Sequence, residues 1–168
     1  MNFDSFQLKT GFADLFANRV LLCAAIAWFG AQFIKMFTTP YYRKDVSFLK
    51  FVLGSGGMPS SHAAVVTAAC FSCGILHGFD SAIFAISAVL AVVVMRDAAG
   101  VRRESGKQAA VINQMTKELN KKKNNFVTET LPELLGHTPL QVLFGGLFGA
   151  AMAFFCQFFL FNHLLPAI

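Results

Sequence analysis

Four stretches of the chain are almost free of charge: about 20–35, 62–79, 81–96 and 139–165. None carries a sustained polar face, so none reads as the surface helix of a soluble bundle. A helix crossing a membrane needs about 20 residues, within a range of about 17–25. The first and third stretches are short by that rule, but Arg19, Lys35 and Arg96 flank them and can extend them by snorkelling. The expected fold is therefore all-α: a polytopic membrane helical bundle of about four spanning helices, in one integral membrane domain over 1–168. A signal peptide fits the first stretch poorly, because it ends at Lys35 with no small-residue cleavage site after it. Phe3, Phe6, Phe12 and Phe16 suggest an interfacial anchor before it.

The connections are unequal. Residues 79–81 make a tight hairpin, whereas 36–61 and 97–138 are long and polar. Within the second, Val111, Ile112, Met115 and Leu119 recur at helical spacing, which predicts an amphipathic helix lying on the membrane surface. The run Lys121-Lys122-Lys123-Asn124-Asn125 then reads as a solvated hinge, with attraction to anionic lipid as an added role. If all four stretches span, 12 of the 14 Lys and Arg residues fall on the side of the long connections, counting Lys35 and Arg96 at the helix ends. The positive-inside rule then places 36–61 and 97–138 in the cytoplasm and both termini outside a cell membrane.

Composition sharpens this picture. The 168 residues are 55% hydrophobic and 14% charged, with 20 Phe, and the mean hydropathy is +0.56. One small core could not hide that much apolar surface. The net charge of +5 is explained by topology and does not call for nucleic acid as a partner. Cys23, Cys70, Cys73 and Cys156 lie in apolar stretches and read as packing residues, not as a disulfide framework or a metal site. Gly145, Gly149 and Ala153 make a small-residue stripe able to pack helices within the chain or between copies in an oligomer.

Two strings carry chemistry. Gly54-Ser55-Gly56-Gly57-Met58-Pro59-Ser60-Ser61-His62 precedes the second apolar stretch. Glycines allow close backbone approach, the serines suit a helix cap, and a helix start with free N–H groups attracts anions. Leu135-Gly136-His137-Thr138-Pro139-Leu140-Gln141 precedes the fourth, with Thr138, Pro139 and Gln141 in a capping-box arrangement. Thr130 and Glu133 suggest another such box just upstream. The topology brings both helix starts, and so His62 and His137, to the face where Lys35, Arg96, Asp97, Arg102 and Arg103 also lie. Two histidines among cations suit phosphoryl transfer: one attacks phosphorus, the other protonates the leaving oxygen.

Gly-Met-Pro-Ser-Ser-His at 57–62, Asp-Ala-Ala-Gly-Val-Arg-Arg at 97–103 and Glu-Leu-Leu-Gly-His-Thr-Pro-Leu-Gln-Val at 133–142 together resemble the divergent branch of the type-2 phosphatidic acid phosphatase superfamily, which is related to acid phosphatases and vanadium-dependent haloperoxidases. The resemblance implies a phosphatase acting on a phosphomonoester, a phosphorylated lipid or other small phosphorylated substrate, through a phosphohistidine, and the charge distribution puts that chemistry at the cytoplasmic face. It implies His137 as nucleophile and His62 as general acid. Lys35, Arg43 and Ser60 would bind phosphate, joined by Ser61, Arg102 and Arg103. No metal or cofactor is expected, and vanadate is expected to mimic phosphate. The chain departs from the superfamily pattern in four places. Arg43 is one residue out of register, Ser61 replaces a glycine, the Ser-Arg pair is absent with Leu131 where its Arg would fall and Arg102 or Arg103 as the substitute, and Gln141 stands where an aspartate would orient the nucleophile. Asp97, ending the third helix on the active face, is the expected substitute carboxylate, ahead of Glu133. The competing reading is a lipid-phosphate-binding membrane protein with little or no turnover.

Overall fold

A computed structural model describes residues 13–38, 57–122, 130–131 and 136–164. After a single turn, α1 (Ala13–Phe16), the helices are α2 (Arg19–Thr38), α3 (Ser61–His77), α4 (Ala82–Ala99), α5 (Val101–Lys122) and α6 (Pro139–Phe154), the last continuing as a π-wound segment, Phe155–Leu164. The described residues form an all-α membrane bundle. Three stretches, Arg19–Thr38, Pro139–His163 and one that contains α4, are long and apolar enough to cross a bilayer, and α3 is a shorter apolar helix. The N-terminal phenylalanines up to Phe12, together with Arg43, Glu133 and the Lys123–Asn125 part of the hinge, lie outside the described residues.

The bundle is apolar outward and small inward. Its buried hydrophobic residues are mostly Ala and Cys, while Phe29, Phe33, Ile86, Val89, Leu143 and Leu147 face outward. This is the pattern expected in lipid, where large apolar side chains gain nothing from being inside and small ones let backbones approach. The central helix is α3, which packs against α2, α4 and α6. Its 17 residues give about 26 Å of length, short of the ~30 Å hydrocarbon core. Because neighbours cover it, its length need not match the lipid.

The stripe on α6 resolves as an intrachain contact. A Cβ on Gly145 would come 2.4 Å from the Ser60 carbonyl oxygen, and one on Gly149 would come 2.3 Å from that of Ala64. Glycine at both positions is what lets α6 lie directly on the α3 backbone. The four cysteines are free thiols, all buried, as the packing reading expects.

Beyond Gly100, which ends α4, the chain enters α5. The predicted amphipathic pattern is present, with Val111, Ile112, Met115 and Leu119 exposed along α5. Asn113 clasps the returning chain: its Nδ2 donates to the Leu131 carbonyl and its Oδ1 accepts from the Leu131 N–H, each at 2.8 Å.

Candidate anion site at two helix starts

Both histidines are placed by helix caps. Ser60 caps α3, its Oγ accepting from the Ala63 N–H at 3.4 Å. Thr138 caps α6 with the full reciprocal box: its Oγ1 accepts from the Gln141 N–H at 3.3 Å, and the Gln141 Oε1 accepts from the Thr138 N–H at 3.0 Å. The two starts are joined by the Ser60 N–H, which donates to the Gln141 carbonyl at 3.0 Å. The chain before α6 is held to α4 by the His137 N–H, which donates to the Ala98 carbonyl at 3.0 Å. Gly136 permits this path, since a Cβ there would meet the Arg103 backbone nitrogen at 2.6 Å. Gly57, at φ 83°, takes the left-handed turn that leads into α3.

The result is a pair of imidazoles with ring centroids 5.7 Å apart, one plane inclined 65° to the other. Lys35 reaches them from α2. It is only 1% exposed, and its Nζ donates to Ser61 Oγ at 3.0 Å. Of the two predicted serines, Ser61 therefore faces the cation, whereas Ser60 is fully buried and engaged in the cap.

Gln141 decides the chemistry of His137. Its Oε1 already accepts from a backbone N–H, so the oxygen end of the amide is identified by its partner. The same Oε1 lies 3.3 Å from His137 Nδ1. An acceptor there puts the imidazole proton on Nδ1 and leaves the lone pair on Nε2. That Nε2 is buried and has no hydrogen-bond partner among the described residues, and neither has His62 Nδ1. Burial above all, and then the Lys35 charge, push the His137 pKa down to about 4, against smaller upward pulls from Gln141 and the Gly57 backbone. The ring is neutral at pH 7, and the acceptor at Nδ1 favours the tautomer with its lone pair on Nε2.

Asp97 does not take the place on His137 that the sequence suggested for it. Its Oδ2 accepts from Arg102 Nε at 3.0 Å in a half-exposed pair, and its charge and that of Arg102 are felt at His62. The ring of His137 is held by Gln141, and sequence reading treated that residue as a cap in the carboxylate's position. The signal was in the spacing: an acceptor at N3 of a helix whose N′ residue is histidine can serve the cap and the ring together. Of the two arginines, Arg102 is within electrostatic reach of His62, while the charge of Arg103 acts on Glu104.

Two imidazoles, the buried Lys35 ammonium and the starts of α3 and α6 lie together at one end of the bundle, with Arg102, paired to Asp97, within electrostatic reach of His62. Of the first-turn N–H groups of α3, that of Ala63 is taken by Ser60 Oγ, and those of Ser61 and His62 have no intrahelical acceptor. Such a grouping suits a phosphate-sized anion. Residues 16–152 match the Divergent PAP2 family, and the chain belongs to it. It is also 39% identical, over 160 residues, to the "Uncharacterized membrane protein YuiD" of Bacillus subtilis (strain 168), an alignment covering 87% of this chain and 98% of that protein. No solved structure matches the chain.

The His137 ring offers a direct check. In a histidine-labelled NMR titration, His137 is expected to stay neutral at pH 6 and to take up its proton near pH 4, well below the ordinary imidazole value of about 6.5. Gln141→Asp places a negative charge against Nδ1, favours the imidazolium, and is expected to raise that pKa. Titration of His137 near 6.5 in the wild type would contradict its buried, cation-flanked position.

Proposed function

We propose that this protein is a membrane phosphatase that hydrolyses a phosphomonoester, a phosphorylated lipid, at the cytoplasmic face through a phosphohistidine intermediate. The observation that carries the reading is the buried Nε2 of His137, without a hydrogen-bond partner among the described residues, beside His62 and the buried Lys35. In this reading Nε2 attacks phosphorus in line. Lys35, held on Ser61, Arg102 and the N–H groups at the start of α3 take the charge of the phosphoryl oxygens. His62 protonates the departing alkoxide and later removes a proton from the water that releases phosphate. Ser60 keeps the two helix starts together, and Arg43 is a further phosphate ligand in the family pattern.

The test is a trap. Purified protein mixed with a phosphomonoester lipid carrying ³²P, then quenched in alkali, is expected to retain label that acid removes, as a phosphoramidate does. Label absent from wild type at every time point, with inorganic phosphate still released, would overturn the covalent route. Orthovanadate is expected to compete with the substrate.

Gln141 favours one alternative. An amide orients the ring without stabilising its positive charge, and loss of the corresponding carboxylate in a serine protease costs about 10⁴ in turnover. A phosphate-binding protein with slow turnover therefore fits the same group of residues. Phosphate binding retained with no hydrolysis in wild type or in Gln141→Asp selects that alternative.

The cytoplasmic placement of the site follows the distribution of Lys and Arg. A cysteine introduced at Lys121 is expected to react with an impermeant maleimide only after the cells are opened. Efficient labelling of intact cells would reverse the orientation.

A further inference from the structure

A groove of about 550 Å³ runs along the lipid-facing side of the bundle, between α4 and α6, with α3 at its floor. Its volume is in the range of sites that enclose small ligands. Its lining is apolar apart from Thr67 of α3 and, at one end, Arg96 of α4, with Pro139 of α6 at the same end. Pro139 is two residues beyond His137, so that end opens at the level of the anion site. From Pro139 the groove follows α6 to Ala150, a run of roughly 16 Å at helical rise. Half of a ~30 Å hydrocarbon core is about 15 Å. The groove is thus as deep as one leaflet, with its cationic end at the interface.

A glycine in the α6 wall leaves the groove open. Gly146 lies over Thr67 and Met95, and a Cβ there would touch Thr67 Oγ1 at 3.6 Å and Met95 Sδ at 3.7 Å. This is ordinary contact, so no close helix approach demands glycine here, unlike at Gly145 and Gly149. What a side chain at 146 would do is fill the groove. Met95 and Val142, both in the lining, pack with Ala63 and Ala98. Ala63 follows His62, and Ala98 holds the His137 N–H. The groove wall and the anion site therefore share one packed unit. Arg96 makes no ion pair among the described residues, and its charge is available to a lipid head group.

We propose that this groove seats one acyl chain of a membrane lipid whose phosphomonoester head enters the His62–His137 site from the same leaflet, with Arg96 holding the head at the groove's mouth. The inference rests on the phosphatase reading for the identity of the head group. It adds the hydrophobic part of the substrate and the route by which it arrives. A chain leaving bulk lipid for the groove gains little hydrophobic energy, because lipid tails are as apolar as the lining. The groove acts by orientation, bringing the phosphorus into line with Nε2.

The experiment uses the full chain in phosphatidylcholine vesicles with a small fraction of a long-chain phosphatidate carrying a mid-chain diazirine. After irradiation, adducts are expected on Val92, Met95, Leu143 and Leu147, well above those on Phe29 and Phe33. The latter two are 58% and 61% exposed on α2 and report ordinary surrounding lipid. Gly146→Leu is expected to remove the groove adducts. It is also expected to lower the ratio of kcat/KM for the long-chain phosphatidate to that for a short-chain alkyl phosphate by about tenfold, the scale of a lost positioning contact. Arg96→Gln, at an exposed position, is expected to lower the same ratio and the adduct yield. Adducts spread evenly over the groove and α2, with the ratio unchanged in both variants, would overturn the groove while leaving hydrolysis intact. Groove adducts with no hydrolysis of either substrate would support the groove and remove the phosphatase reading.

Discussion

Replacing His137 by asparagine is expected to abolish turnover of every phosphomonoester, by roughly 10³-fold or more, as loss of a covalent nucleophile does elsewhere. The reason lies in the tautomer. With Nδ1–H given to Gln141, Nε2 is the ring nitrogen left to form the bond to phosphorus, whereas Gln141 does not hold the neighbouring His62 ring in this way. The partner variant His62→Asn is expected to behave differently. It removes a proton donor, a contribution of about 10²–10⁴ for an alkyl ester. An aryl phosphate such as p-nitrophenyl phosphate has a leaving group stable as its anion, so His62→Asn should cost far less there, whereas His137→Asn should cost as much as before. Steady-state rates of both variants on both substrates decide the roles. If His137→Asn recovers activity with the aryl ester and His62→Asn does not, the two roles are exchanged.

Gly149→Val is expected to break the bundle where α3 and α6 touch. Even a single Cβ at this position would lie 2.3 Å from the Ala64 carbonyl oxygen, and backbone cannot swing aside as a flexible side chain can. The helices must separate. Overpacking of this kind typically costs about 1–3 kcal/mol, a large share of a marginal stability. Gly145→Ala meets the Ser60 carbonyl in the same way, but at the level of the site. There the displacement moves the cap of α3 relative to that of α6, and with it one imidazole relative to the other. A shift of about 1 Å in such a constellation can cost on the order of 10² in rate. So Gly149→Val should be read in thermal unfolding in detergent, and Gly145→Ala mainly in turnover. Gly146→Ala makes only ordinary contacts and serves as the control for stability. Wild-type unfolding of Gly149→Val would mean that α6 does not lie on α3 as described.

The glycines also show where sequence reading stopped. The spacing of Gly145, Gly149 and Ala153 marks a helix-packing face, but the same spacing serves a contact within one chain or between two. Only the position of the Ala64 and Ser60 carbonyls distinguishes them. The helix spans were legible because lipid leaves a blunt signal: a charge-free run of sufficient length must be a helix if its backbone is to be satisfied. The histidines were legible because caps are local, so Ser60 and Thr138 announce the helix starts that His62 and His137 occupy. Their convergence follows from counting spans.

Gln141 and Asp97 were not legible in that way. From sequence, Gln141 fills a cap in the carboxylate's position and Asp97 is the acid that ends a helix on the active face. Which side chain reaches Nδ1 depends on how α4 and α6 are set against each other, a matter of ångströms. The sequence alone determined the membrane class of the chain, its helix starts and the gathering of two histidines and several cations at one end, because hydropathy, capping and charge placement act locally or along the chain. The tertiary structure alone decided that Lys35 is enclosed on Ser61, that Gln141 holds the His137 ring, and that a leaflet-deep groove opens beside them. Those facts depend on distances between elements far apart in the chain, which close packing sets.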